Sequence, residues 1–224
     1  HRIARRQRQM CIRDSYYISA ETKDQALASP HLEGFKSKKI PVLIMTDAID
    51  QFWLPMVGSF KEKKFTSITQ GQINLDDLDE KNKDKKKDDK NEKEKKDKEY
   101  VDLVAQLKVV LGDQVKDIRL SSKLTDSPVC LVADEGDMDI AMEQLMAQRD
   151  TNYKGAPRIL EINGDHSLIK NMKSLLSKKE NNDLVSDAGT LLFEQARLME
   201  GKMPADPAQF SKIMNQFLLK AIPS

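Results

Sequence analysis

Leu120-Ser121-Ser122-Lys123-Leu124-Thr125-Asp126-Ser127-Pro128 leads into the apolar run Val129-Cys130-Leu131-Val132, and Asp134-Glu135-Gly136-Asp137 then opens a segment carrying Met138, Met142, Leu145 and Met146. The apolar runs on either side of the Ser/Thr/Asp/Pro cluster predict two strands. The four residues after Gly136 stand at i, i+4, i+7 and i+8, so a helical period gathers them into one stripe. Asp137 occupies the expected N-cap, where its charge complements the positive end of the helix. Thioethers fill irregular gaps in cores and also re-pack around varied apolar partners, so spacing alone leaves both a buried and an exposed stripe open.

Around this stretch the pattern builds a mixed domain. Val101, Val104, Leu107 and Leu111 mark a helix face that stops at Gly112. Val115–Leu120 and Val129–Val132 are expected to pair, and Arg158–Ile162 is expected as a third strand. Asn163 is read as the cap of a helix carrying Leu168, Ile169, Met172, Leu175 and Leu176, with His166 in its first turn. Two apolar helices close the chain. The first carries Leu184, Leu191, Leu192 and Leu198, and the second Phe210, Ile213, Met214, Phe217 and Leu218, with Gly201, Pro204 and Asp206-Pro207 between them.

Upstream, residues 16–19 form a short strand candidate, Thr22 an N-cap and Pro30 a helix start. The apolar run 41–45 reads as a strand buried on both faces, and alternation with helices predicts a small parallel α/β unit. Phe52 and Trp53, within Asp50-Gln51-Phe52-Trp53-Leu54-Pro55-Met56, are its aromatic cluster. Residues 79–98 then hold ten Lys and eight Asp or Glu among 20 positions and no apolar side chain. Such a run stays solvated as a linker or a frayed charged helix, and as a coil it spans about 25 Å. The fold expected is therefore α/β plus α+β: a parallel unit over 16–78, the linker over 79–98, and a three-stranded α+β domain over 99–224 ending in the helical pair.

Composition removes several functions. Of 224 residues 39% are hydrophobic and 33% charged, yet the net charge is only +1, so nothing global points to nucleic acid or a membrane. Two cysteines, Cys11 and Cys130, make no disulfide framework, and no apolar run reaches the roughly 18 residues that span a bilayer. The arginines of 1–15 would suit a phosphate-binding arm, but the segment is expected to be non-native and the chain a fragment of something longer. No phosphate-binding glycine loop, nucleophile elbow, H-E-x-x-H or paired-cysteine zinc spacing is present, so no catalytic, cofactor or metal residue is nominated.

Leu124-Thr125-Asp126-Ser127-Pro128, the segment from Asp134 to Met146, and Asn163-Gly164-Asp165-His166-Ser167-Leu168-Ile169-Lys170 together resemble the C-terminal domain of the ninety-kilodalton heat-shock chaperone family, in its bacterial HtpG type. Tyr16-Tyr17-Ile18, Ser29-Pro30-His31-Leu32-Glu33 and Pro41-Val42-Leu43 resemble the end of that family's middle domain. The resemblance implies a cytoplasmic, ATP-dependent chaperone that forms a homodimer and binds partly unfolded client proteins. It implies client contact at Phe52, Trp53, Met138, Met142, Leu145 and Met146, and dimerisation through the apolar positions of the two closing helices. Gln51, Phe52 and Pro55 stand where bacterial members have an acid, a tryptophan and an asparagine, and Met146 stands where they have an aromatic. ATP and magnesium belong, by the same resemblance, to domains outside this chain, which is expected not to hydrolyse ATP by itself. The absence of an acidic tail favours the bacterial type. The rival expectation is a purely structural oligomerisation module whose methionines are buried and bind nothing.

Overall fold

The computed structural model describes residues 14–75, 86–149, 155–176 and 182–222. Residues 1–13 lie outside this set, and with them nearly all of the segment expected to be non-native. Its last two positions do fall inside: β1 (Asp14–Ser19) pairs Asp14 with Lys64 and Ser15 with Phe65.

By contacts the chain divides into two units. The first takes 1–93, Ser122–Thr125 and Val132–Ala156, and the second takes Glu94–Ser121, Asp126–Leu131 and Pro157–Ser224. The domain read from sequence as 99–224 thus contributes two segments to the first unit.

In the first unit β1 is followed by α1 (Lys23–Ala28), a 3-10 turn (Pro30–Leu32), α2 (Glu33–Ser37), β2 (Leu43–Met45), α3 (Asp50–Val57), β3 (Ser59–Phe60) and β4 (Lys63–Ser67). Thr22 caps α1 as expected, its side chain accepting from the Gln25 amide. The sheet order is β2-β1-β4-β3, with β1 parallel to both β2 and β4, and β3 antiparallel to β4. β2 is therefore an edge strand, and Leu43 is exposed, so it is not buried on both faces as the apolar run implied. Tyr16, Ile18, Leu32, Phe35, Ile68 and Leu75 form the core, with the Tyr16 and Phe35 rings 5.1 Å apart.

Backbone and side-chain bonds fasten the later segments to this unit. Lys123, 1% exposed, donates from Nζ to the Ile68 carbonyl at 2.9 Å, Ser122 Oγ donates to the Ile73 carbonyl at 2.9 Å, and the Thr125 amide donates to Glu33 Oε2 at 2.8 Å. Gly34 makes this approach possible, because a Cβ there would stand 2.5 Å from the Lys123 carbonyl oxygen.

α4 (Lys86–Leu111) begins inside the charged run, and its residues from Glu94 onward belong to the second unit and lead into β5 (Val115–Leu120). β6 (Val129–Val132), β7 (Arg158–Ile162), α6 (Ser167–Leu176), α7 (Asn182–Met199) and α8 (Pro207–Ala221) follow, while α5 (Ile140–Arg149) lies in the first unit. The sheet order is β5-β7-β6, so the expected pairing of β5 with β6 is wrong: β7 lies between them, parallel to β5. As the central strand β7 is buried along its whole length, Glu161 included. Glu161 Oε1 accepts from Arg119 Nη2 at 2.8 Å, and its Oε2 accepts from Ser121 Oγ at 3.0 Å. The buried Cys130 places Sγ 3.9 Å from the same carboxylate.

The buried face of α4 is Tyr100, Leu103, Leu107 and Leu111, whereas Val101 is exposed. It packs with Val115, Ile118, Leu160 and Ile162 of the sheet and with Val185, Leu192 and Phe193 of α7. At the start of α6 the cap is His166, whose Nδ1 accepts from the Leu168 amide at 3.2 Å. Asn163 instead makes a turn one step earlier, accepting from the Asp165 amide and donating to the Ser127 carbonyl.

Candidate functional site

The candidate apolar side chains of α3, α5 and the loop before α5 all fall within the first unit. α5 starts later than its sequence implied. Its cap is Asp139, whose Oδ1 accepts from the Ala141 amide at 3.0 Å, so Met138 lies on the loop ahead of the helix and not on its first turn. The reason is seventy residues upstream: Asp139 Oδ2 accepts from Ser67 Oγ at 2.5 Å and from Thr69 Oγ1 at 2.8 Å. Burial first, and then the Asp139 charge, push the neighbouring Tyr17 phenol up to about 12. Gln70 completes the clasp, its Nε2 donating to the Asp137 carbonyl at 2.6 Å and the Glu135 carbonyl at 3.2 Å.

With its start fixed, α5 turns Ile140 and Glu143 inward. Glu143 Oε2 accepts from the Ala156 amide at 3.3 Å beside Gly155, whose φ of 67° favours glycine and where a Cβ would stand 2.3 Å from Glu143 Oε1. The stripe is thereby rotated toward solvent. Met138 is 38% and Met146 36% exposed, and Met142 and Leu145 are half-buried. Burial of the methionines, which the rival expectation required, does not hold for these two.

α3 presents a second apolar surface. Trp53 is anchored: its Nε1 donates to Asp50 Oδ1 at 2.7 Å, and its ring meets Phe65 edge-on at a centroid separation of 5.9 Å. Phe52 is the exposed member of the pair at 39%. Sequence reasoning missed its companions, Ile49 and Met56, both exposed and set at i−3 and i+4 from Phe52. The helical spacing was legible and unused.

A groove of about 260 Å³ separates the two surfaces, lined on one wall by Glu21, Asp47 and Gln51 and on the other by Gln144, Leu145 and Gln148. Gln148 Nε2 donates to Glu21 Oε1 across it at 3.0 Å.

The second unit carries the closing helices. Leu192 and Ile213 are buried in their own fold, each 4% exposed, which removes both from any surface offered to a partner. Leu184, Leu191, Phe210 and Phe217 are half-buried, while Leu198, Met214 and Leu218 are exposed. Met199, Met203, Leu219 and Ile222 are exposed as well, and of these Met203, Leu219 and Ile222 were not singled out from sequence.

Among the described residues no three His, Cys, Asp or Glu are placed to hold a metal ion, and no helix is long and apolar enough to cross a membrane. The groove beside Gln51 and Leu145 carries two carboxylates, Glu21 and Asp47, and no basic side chain in its lining.

The family profile described as "Hsp90 protein" matches residues 3–223. Among curated proteins, the chain is 41% identical over 209 residues to "Chaperone protein HtpG" of Roseobacter denitrificans, covering 92% of this chain and 33% of that protein. It is 38% identical over 213 residues to the protein of the same name in Wolbachia pipientis wMel, covering 92% and 32%. Against that of Streptomyces coelicolor it is 35% identical over 201 residues, covering 90% and 31%. The chain thus spans about a third of the length of the curated relatives it matches.

Proposed function

The chain belongs to the Hsp90 protein family, and from that premise we propose that it is a client-holding and dimerising part of an ATP-dependent chaperone of the cytoplasm. The observation that carries the reading is the solvent-facing set Phe52, Met138 and Met146, with Met142 and Leu145 beside it. Each large apolar side chain left in water forgoes roughly 1.5–3 kcal/mol of burial, so a partly unfolded protein exposing its own core residues gains by covering these. Unbranched thioethers adapt to many shapes, which gives weak and unselective contact. A surface that has to release its cargo needs that weakness.

The second half of the reading concerns α7 and α8. Leu198, Met214, Leu218 and Leu219 leave an apolar edge on a helical pair, and two such pairs close as a four-helix bundle about a two-fold axis. In the whole protein, ATP and magnesium bound by other domains would change the distance between surfaces held on two protomers.

The test uses Met138→Asp with Met146→Asp in the full chain, against reduced, carboxymethylated lactalbumin as a permanently unfolded probe. Binding is expected to fall while the melting temperature stays that of the parent. Undiminished binding would overturn the client reading. Unfolding of the variant would favour the structural module instead, because it would assign both side chains to packing.

A further inference from the structure

We propose that the groove between α3 and α5 selects client segments in which a lysine or arginine is flanked by apolar residues. The inference rests on the client-holding reading above and adds the chemical class that the site prefers.

Three observations combine. The first is the charge of the walls: Glu21 and Asp47 face the groove, and its lining contains no lysine, arginine or histidine. In a chain whose net charge is only +1, with 37 basic and 36 acidic residues, a concave surface of one sign is local rather than global in origin. The second is size. At about 260 Å³ the space is near the lower limit of small-molecule pockets, right for one long side chain and too small for a helix or a hairpin. The third is what stands at the rim. Leu145 belongs to the groove wall, and Gln51 on the opposite wall is the chain neighbour of exposed Phe52.

Lysine and arginine suit such a place. Their aliphatic stems lie along apolar walls while the charged head stays near water and carboxylate. Gln51 and Gln148 also line the groove, Gln148 already donating from Nε2 to Glu21, and a side-chain amide oxygen accepts from an ammonium or guanidinium. Apolar residues on either side of the basic one then reach Leu145 and Met142 on α5 and Phe52 on α3. An acidic side chain in the same place would meet two like charges and lose affinity. The preference is expected to weaken with salt, since both carboxylates are exposed.

The experiment measures fluorescence anisotropy of short fluorescein-labelled peptides, identical except for a central Lys or Glu flanked by Leu, with the full chain at low salt. The parent is expected to bind the Lys peptide roughly three- to tenfold more tightly than the Glu peptide, the range set by two exposed ion pairs. In Glu21→Gln/Asp47→Asn the two affinities are expected to converge, the Lys peptide weakening and the Glu peptide strengthening. Met142→Asp is expected to weaken both. An unchanged Lys-over-Glu ratio in the double variant, or no preference in the parent, overturns the inference. If Met142→Asp still weakens both peptides in that case, the client-holding reading survives. Binding insensitive to both sets of substitutions overturns the two together.

Discussion

Removal of the Asp139 carboxylate tests how the apolar stripe is held. In Asp139→Ala the first turn of α5 loses its cap, typically about 1 kcal/mol, and the hydroxyls of Ser67 and Thr69 lose a charged acceptor, each such bond contributing about 1.5–3 kcal/mol. Ser67 Oγ and Thr69 Oγ1 lie 2.8 Å apart, so without the carboxylate one hydroxyl can donate to the other and part of the loss is recovered. A net cost of about 2–4 kcal/mol to local opening follows. By amide hydrogen exchange, protection at Ala141 and Glu143 should then fall by roughly 30- to 1000-fold. The amides of α7, in the other unit, should keep theirs. Unchanged protection in α5 would refute the clasp, and an equal loss in α7 would refute the assignment of α5 to the first unit.

Other predictions concern separate parts of the chain. Gly34→Ala should cost about 1–3 kcal/mol in urea unfolding, because the added Cβ presses on the Lys123 backbone as well as on the end of the Leu75 side chain, and the backbone cannot swing aside; a neutral result would mean that the Ser122–Thr125 segment is not seated there. The middle of α4 is tied to α6 by Lys96 with Asp165 and by Glu99 with Lys173. The hydrogen bond from Lys96 holds the Asp165 carboxyl below its usual range, and that from Lys173 does the same for Glu99, while Glu99 raises Lys173. Lowered carboxyl values stabilise above the unfolded-state pKa and are lost as pH falls through the folded one; a raised lysine stabilises until pH climbs past its own. Amide protection in the turns of α4 around Lys96 and Glu99 should therefore be flat between about pH 5 and 10 and fall outside it, and loss of protection at neutral pH on a small pH change would contradict the assignment. Leu219→Asp, at a side chain 77% exposed, should bring the molar mass by light scattering from twice the 25.5 kDa of one chain to that of one; a mass unchanged by the substitution would place the dimer contact elsewhere.

What the sequence disclosed depends on the range of the forces involved. Thr22 as a cap, the start of the long helix inside the charged run, and the amphipathic α7 and α8 were all legible, because each is decided within a turn or two of chain. The β5–β6 pairing was misread because consecutive strands usually pair, and nothing local announces that Arg158–Ile162 inserts between them. Asp137 and Asp139 are equally good caps on paper. The choice between them is made by Ser67 and Thr69, and no window around α5 contains those hydroxyls. Buried Glu161, Glu143 and Lys123 were invisible for the same reason: each depends on a partner distant in sequence or on a backbone group exposed only by the fold. Of the residues proposed to contact clients, exposure separated Phe52 from Trp53 and Met138 from Met142, distinctions that periodicity does not make.

Site-specific photo-crosslinking tests the central claim most directly. With a benzophenone amino acid in place of Met146, and the same group at the exposed Val109 of the other unit as a control, the chain is mixed with reduced, carboxymethylated lactalbumin and irradiated. Adducts from position 146 well above those from position 109 are predicted. Equal yields from the two positions, or none from 146, would contradict the account.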